Sequence, residues 1–309
     1  MKQNQNYQNL THVLEDFLWH CEFEKRLSEK TLKAYQADLS QFVSITGNLC
    51  MIEMTKEVIR NYLQNISHFR HKTIKRKIAT LKAMLNYYES ENEWYNNPMR
   101  RMQIRMREPV RLPIVMTIEE VKSLFDFVYK QRIKCKSDTF SYMMKTRNIA
   151  IIELLFASGM RVSELCALRL CDIDTKQGCV RIIGKGDKER IVDVCQPATL
   201  TALKDWLKYR SHCESQSPLF ISRLHNKLST QSVRLLIHHL VSSSHIEKKI
   251  TPHTFRHTYA TLLLEEGIDI TYIQHLLGHS SIVTTQIYTH VNLHKQREIL
   301  SKKHPRRLI

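Results

Sequence analysis

Apolar residues recur at three- and four-residue spacing along most of this chain, and that spacing predicts helices. Across 10–93 the pattern is helical throughout. Val13, Phe17, Leu18 and Cys21 form one apolar stripe, and Leu32, Tyr35, Leu39 and Phe42 a second. Ser28 ahead of Lys30-Thr31 reads as a helix start and Gly47 as a stop. A third helix is expected from Thr55, with Val58, Tyr62, Leu63 and Ile66 on its apolar face. A fourth, over about 68–88, carries Ile74, Ile78, Leu81, Met84 and Leu85 on one side. Asn96-Asn97-Pro98 closes this unit.

A second helical stretch begins near Met116, where Thr117 is a helix cap followed by Glu119 and Glu120 in the first turn. Helices are expected at about 117–130 and 143–157, then a short one over 162–168 opened by Arg161. The β signal is confined to Val180-Arg181-Ile182-Ile183 and Arg190-Ile191-Val192-Asp193-Val194, two β-branched runs around a Gly-containing loop. Helical patterning returns at 198–210, 229–243, 252–266, 269–276 and 280–288, with a tail helix from about 291. The expected class is mainly α with a small β-hairpin, in two domains. A helical domain spans 8–95, a linker 96–115, a mostly helical second domain 116–300, and a tail 301–309.

Charge narrows the partner. The chain has 309 residues and a formal net charge of +17, an excess that points to a polyanion, with double-stranded DNA first. The basic residues Arg70, Lys72, Lys75, Arg76, Lys77 and Lys82 flank the apolar face of the fourth helix. A solvated face is the plain reading of such a run; a contact to the DNA backbone is the one favoured. Arg100, Arg101, Arg105, Arg107 and Arg111, broken by Pro109 and Pro113, read as an extended basic linker able to lie across phosphates. No run of about 18 apolar residues is present, so no membrane span is expected. The polar first ten residues lack a signal-peptide core, and a cytoplasmic location is expected. None of the eight cysteines forms a CxxC pair, so free and mostly buried thiols are expected. His253 and His257 have the i, i+4 spacing of zinc ligands, but Thr254 stands where a metalloprotease needs Glu, and no metal is expected.

The candidate chemistry gathers in five short blocks. Cutting DNA without losing its bond energy needs a side-chain nucleophile, cations for the non-bridging oxygens, and an acid for the leaving oxygen. Arg161 follows Gly159, and its planar fork suits a phosphate. Glu164, one turn on, either orients a neighbouring Arg or imidazole or is a plain first-turn carboxylate. Lys185 stands between Gly184 and Gly186 at the hairpin tip, where an ammonium could approach a leaving group. His253 and Arg256 share one helical face. His257 is turned away from Arg256 and reads as a packing or support residue. His279 follows Gly278, and Tyr288 lies nine residues further on. Taken singly, each of these residues also has an ordinary structural reading.

Together, Ala157-Ser158-Gly159-Met160-Arg161-Val162-Ser163-Glu164-Leu165, Gly184-Lys185-Gly186-Asp187-Lys188-Glu189-Arg190, His253-Thr254-Phe255-Arg256-His257-Thr258, Leu276-Leu277-Gly278-His279-Ser280-Ser281 and Thr284-Thr285-Gln286-Ile287-Tyr288-Thr289-His290-Val291 resemble the tyrosine recombinase (phage integrase) family, closest to its Xer branch. The resemblance covers essentially the whole chain. It implies a SAM-like core-binding domain followed by a catalytic domain. It implies that Tyr288 is the nucleophile forming a 3′-phosphotyrosine, that Arg161 and Arg256 clamp the phosphate, and that Lys185 is the general acid. It further implies His253 as acid/base, His279 as hydrogen-bond donor and Glu164 as support. A tetramer on two DNA sites, of one chain or with a paralogue, is implied too. The tail Lys303-His304-Pro305-Arg306 resembles the Xer segment that docks on a neighbouring protomer. The chemistry needs no cofactor. Two other readings use the same features: a DNA-binding architectural or regulatory protein without turnover, and a type IB topoisomerase-like relaxing enzyme. The Lys-rich stretch 129–141 has no role in either account.

Overall fold

A computed structural model describes residues 8–104, 114–137, 139–184, 189–244, 246–278 and 300–308. The chain divides into two compact units, Met1–Arg111 and Leu112–Ile309. Among the described residues no helix is long and apolar enough to cross a membrane.

The first unit holds α1 (Leu10–Trp19), which runs on into one π-turn at His20–Glu24, then α2 (Glu29–Thr46), α3 (Lys56–Asn65) and α4 (His71–Glu91). Ser28 caps α2 by accepting from the Thr31 N–H, and Thr55 caps α3 through the Val58 N–H. Gly47 ends α2 at φ +82°, where a side chain would be strained. The core is Leu10, Phe17, Leu39, Phe42, Tyr62, Leu81, Met84 and Leu85 with their neighbours. Two details differ from the sequence reading. The buried face of α3 centres on Ile59, Tyr62 and the following Ile66, while Val58 and Leu63 are half-buried. Lys77 is not on the solvated basic face: it is buried, and its ammonium donates to Asp38 Oδ1 at 2.9 Å. Asp38, itself buried, also accepts from Thr80 and pairs with Arg76.

The second unit is built around α6 (Phe140–Ser158). Its stretch from Ile149 to Ala157 is buried on every side, so it lacks the one-sided stripe of a surface helix. Against it pack α5 (Ile118–Ile133), α8 (Pro197–Lys208) and α10 (Pro252–Glu265). Among the described residues the unit also holds α7 (Val162–Ala167), α9 (Thr230–Ser243) and α11 (Ile270–Leu277). The hairpin is present as β2 (Cys179–Ile183) and β3 (Glu189–Asp193), with Val180 opposite Val192 and Ile182 opposite Arg190. A third strand, β1 (Ile173–Asp174), adds antiparallel to β2. Two residues are too few for a period-2 pattern to be seen in sequence. The helix expected over 280–288, and Arg105, Arg107 and Arg111, lie outside the described residues; of the tail helix expected from about 291, residues 300–303 are described and are helical.

Part of the 129–141 stretch has a structural role. The Tyr129 hydroxyl donates to Glu153 at 2.8 Å, and Arg132 pairs with Asp205 at 3.1 Å. Glu153 is wholly buried on α6 and also receives Thr199 and the tail's Arg306, whose two bonds measure 2.7 and 3.1 Å. The neighbouring His304 is buried too, its Nε2 2.8 Å from the Ala157 carbonyl and its Nδ1 accepting from the Arg306 N–H at 2.9 Å. In the single chain, therefore, the tail seats on its own α6. The cysteines are free as expected, but only Cys21 and Cys166 are buried; Cys171 and Cys213 are exposed.

Candidate active site

Gly159 ends α6 in the left-handed conformation, φ +57°, and turns the chain into α7. A Cβ there would stand 2.5 Å from the Tyr259 ring and 2.8 Å from Leu277, so the turn, α10 and α11 approach more closely than any side chain allows. That close approach brings three separate blocks of the sequence to one place. Arg161 comes from the turn, Arg256 from α10, and Gly278 ends α11, also left-handed at φ +63°.

The two guanidiniums bind neighbouring carbonyls. Arg256, 5% exposed, donates to Gly159 O at 2.9 Å and Leu277 O at 2.6 Å. Arg161, with its side chain 37% exposed, reaches Gly278 O at 3.3 Å. Burial, and next the charge of Arg161, push the Arg256 pKa down to about 10, which still leaves it cationic at neutral pH.

Glu164 organises this pair. One carboxylate oxygen accepts from the Arg161 side chain at 2.8 Å, and the other accepts from the Arg161 backbone N–H at 2.8 Å. A third arginine, Arg190 at the start of β3, forks onto the same carboxylate at 3.1 and 2.7 Å. Burial opposes the charge on Glu164, yet these hydrogen bonds hold its pKa below the ordinary carboxylate range. Both readings of Glu164 describe the geometry: it caps the first turn of α7 through the Arg161 backbone N–H and orients the Arg161 and Arg190 side chains.

Arg190 escaped the sequence reading as a site residue, because a charged position on a short strand usually faces solvent. It also donates Nε to Leu276 O at 3.2 Å, and a Cβ on Gly278 would come within 3.0 Å of its Nη1. It thus ties the first residues after the hairpin loop to Glu164 and to the end of α11. Its place two residues after Lys188, in the block that includes Lys185, was the available signal.

The other expected residues divide. His253 is exposed in the first turn of α10, so it is open to a ligand. His257 is also exposed, which corrects its reading as a packing residue. Lys185, His279 and Tyr288 lie outside the described residues. Two other tyrosines carried by α10 and α11 differ from each other. Tyr259 is fully buried and its hydroxyl has no partner among the described residues; Tyr272 is half-buried. Burial raises the Tyr259 pKa well above that of a free phenol and keeps its hydroxyl away from solvent.

In the first unit, Arg70, Lys72, Arg100 and Arg101 are exposed. Arg100 pairs with Glu89 at 2.9 Å, and Arg76 spends part of its guanidinium on Asp38. Lys75 is exposed and is also engaged in an interaction.

Comparison with known proteins bears on the same two units. The model of the phage integrase family matches residues 115–295, and that of the phage integrase N-terminal SAM-like domain matches 14–92. A tyrosine recombinase of Agathobacter rectalis is 41% identical over 305 residues, covering 97% of this chain and 98% of its own. Tyrosine recombinase XerC of Thermodesulfovibrio yellowstonii and XerD of Halalkalibacterium halodurans are each 36% identical over 310 and 307 residues, covering 96% and 95% of this chain and 97% of each relative. Among solved structures, XerH recombinase bound to palindromic difH substrate matches with a TM-score of 0.71 at 21% identity, over 93% of this chain and 84% of that one. A lambda integrase tetramer bound to a Holliday junction matches at 0.68 and 18%, over 92% and 78%. The two structural matches show a shared fold.

Proposed function

The chain belongs to the phage integrase family and is a tyrosine-type site-specific DNA recombinase; from that premise we propose which of its residues carry out cutting and rejoining. The Tyr288 hydroxyl attacks the scissile phosphorus and the bond to the 5′-oxygen breaks, leaving a 3′-phosphotyrosine. Arg161 and Arg256 neutralise the non-bridging oxygens as charge builds in the transition state. Lys185 delivers the proton that the leaving 5′-oxygen needs, and His253 takes the proton from the tyrosine. His279 donates a hydrogen bond to the phosphate. Attack on the phosphotyrosine by another 5′-hydroxyl reverses the sequence on a new partner strand. Bond energy is retained throughout, so the steps need neither nucleotide nor redox chemistry.

One observation carries this reading. Two guanidiniums from distant blocks meet on the carbonyls of Leu277 and Gly278, at the stem of the segment that contains His279 and Tyr288. Glu164 and Arg190 act as positioning residues behind them. DNA is the partner. The assembly proposed is a tetramer, of this chain or with a paralogue, on two DNA sites in the cytoplasm. The tail of each chain is proposed to exchange its seat on α6 for the same seat on a neighbour.

The test is a nicked suicide duplex carrying a sequence enriched by the protein's own binding. Wild type should give a protein–DNA band on a denaturing gel, and Tyr288→Phe should give none while still binding. A covalent band from Tyr288→Phe would assign the nucleophile elsewhere, with Tyr272 the accessible alternative.

A further inference from the structure

Several cations withdrawn from solvent in this protein carry a carboxylate. Lys77 has Asp38, Arg190 has Glu164, and Arg306 has Glu153. Among the described residues three buried guanidiniums have none: Arg256, Arg210 and Arg147. Arg256 belongs to the proposed phosphate clamp. Arg210 stands at the end of α8 and holds Pro218 O.

Arg147, on α6, resembles Arg256 in its manner of holding. It donates to Ile221 O at 2.7 Å, and to the Asn148 side-chain oxygen through Nη2 at 2.8 Å and Nε at 3.2 Å. These three bonds use three of its five N–H groups and fix the plane of the fork, and all go to neutral oxygens. The carbonyl it grips belongs to a short hairpin the sequence reading did not detect. Ile221 bridges Lys227, Ser222 N–H donates to Asn226 O, and His225 makes the turn at φ +59°. Arg223 and Lys227 project from that hairpin and are exposed, as is Arg234 on α9. Arg223 is two residues from the Ile221 whose carbonyl Arg147 holds, and Lys227 pairs with Ile221 across the hairpin, so these cations share one neighbourhood. No acidic side chain pairs with Arg147, Arg223, Lys227 or Arg234 among the described residues.

A buried guanidinium with neutral partners, next to further unpaired cations, is a costly arrangement unless an anion completes it. We propose that Arg147, Arg223 and Lys227 form a second phosphate seat on the catalytic unit, one that holds the DNA backbone away from the scissile phosphate. Arg147 gives the seat a fixed direction, because its rotamer is set by Asn148 and Ile221. Arg223 and Lys227, exposed on the adjoining hairpin, add charge beside it. The inference rests on DNA being the substrate, and deepens it by naming where the backbone is gripped.

The experiment measures binding of the full chain to a fluorescent duplex of arbitrary sequence as a function of salt. Removing one cation–phosphate pair should reduce the slope of log affinity against log salt by about 0.9. Arg147→Met and Arg223→Ala should each lower the slope by about that amount, and Arg147→Lys should retain most of it. Thermal melting of the same samples checks the fold. Should Arg147→Met fail to fold, Arg223→Ala decides alone, since Arg223 is exposed and braces nothing. Wild-type slopes in both variants, with a lowered melting point for Arg147→Met only, would make Arg147 a brace for the hairpin and overturn the seat. Salt-independent binding by wild type would instead remove the DNA reading on which the proposal stands.

Discussion

Each unit contains a buried carboxylate gripped by two basic side chains, and the two clusters end up doing different work. In the first unit Asp38 holds Lys77, Arg76 and Thr80, and so bolts α2 to α4. In the second unit Glu164 holds Arg161 and Arg190, and Arg256 stands beside them with no carboxylate of its own. Lys77 is sealed among apolar side chains and the Phe69 ring, whereas Arg161 keeps more than a third of its side chain open. The lesson is in the surplus. Where buried cations are matched by carboxylates and closed off, the cluster maintains the fold. Where an extra guanidinium is held in place by carbonyls, as Arg256 is, the cluster carries a surplus positive charge that the proposed phosphate would neutralise.

The sharpest way to break this distinction is to remove the carboxylate of the closed cluster. Asp38→Asn should cost the first unit about 3–5 kcal/mol, because Lys77 is left as an unpaired buried charge. Denaturant melting measures the loss. Cleavage by the fraction that remains folded, titrated with suicide substrate, should match wild type; a slower rate would give the first cluster a catalytic part.

Arg256→Ala is the converse. It should slow cleavage on a suicide substrate by roughly 10²–10³-fold, about 3–4 kcal/mol in the barrier, the size of a lost oxyanion donor. Its melting point should fall less than that of Asp38→Asn. A rate near wild type would place Arg256 in the fold and not in the reaction.

The tail supplies a third case. Burial pushes the His304 pKa down to about 4, with the charge of Arg306 acting in the same direction. A histidine depressed in the folded state adds stability above its unfolded pKa, near 6.5, and loses it as pH falls toward 4. On the order of 3 kcal/mol of tail seating should disappear across that window. Protease sensitivity of the tail against pH reads the loss; His304→Asn, with no titration there, should flatten the profile.

Much of the architecture was legible because it rests on local rules. Ser28, Thr55 and Thr117 cap their helices through the backbone N–H three positions on, and Gly47 stops α2 where only a glycine is comfortable. The arginine pair was legible as chemistry, through its motifs. What escaped detection depends on partners far away in sequence. Lys77 reads as one more surface lysine until Asp38, 39 residues earlier, is seen against it. Arg190 reads as a strand-edge charge until Glu164 is placed under it. The hairpin around Ser222–Asn226 carries Arg-Leu-His where a glycine would have advertised a turn, and His225 takes the positive φ instead. The seat of Arg306 on Glu153, 153 positions apart, has no local signal at all.

The hydrogen bond between Gly159 and Arg256 spans 97 positions of chain. At a synthesis rate of about 5–20 residues per second, roughly 5–20 s pass between the emergence of the two halves of the clamp. Throughout that interval α2 and α4 of the first unit are already synthesised while the contact between Gly159 and Arg256 is not yet made. The carbonyls of Leu277 and Gly278 that hold the two guanidiniums emerge later still, at the end of α11. Assembly of the two-arginine cluster is therefore a late event along the chain, set by the 117 positions that separate Arg161 from the Gly278 carbonyl it reaches.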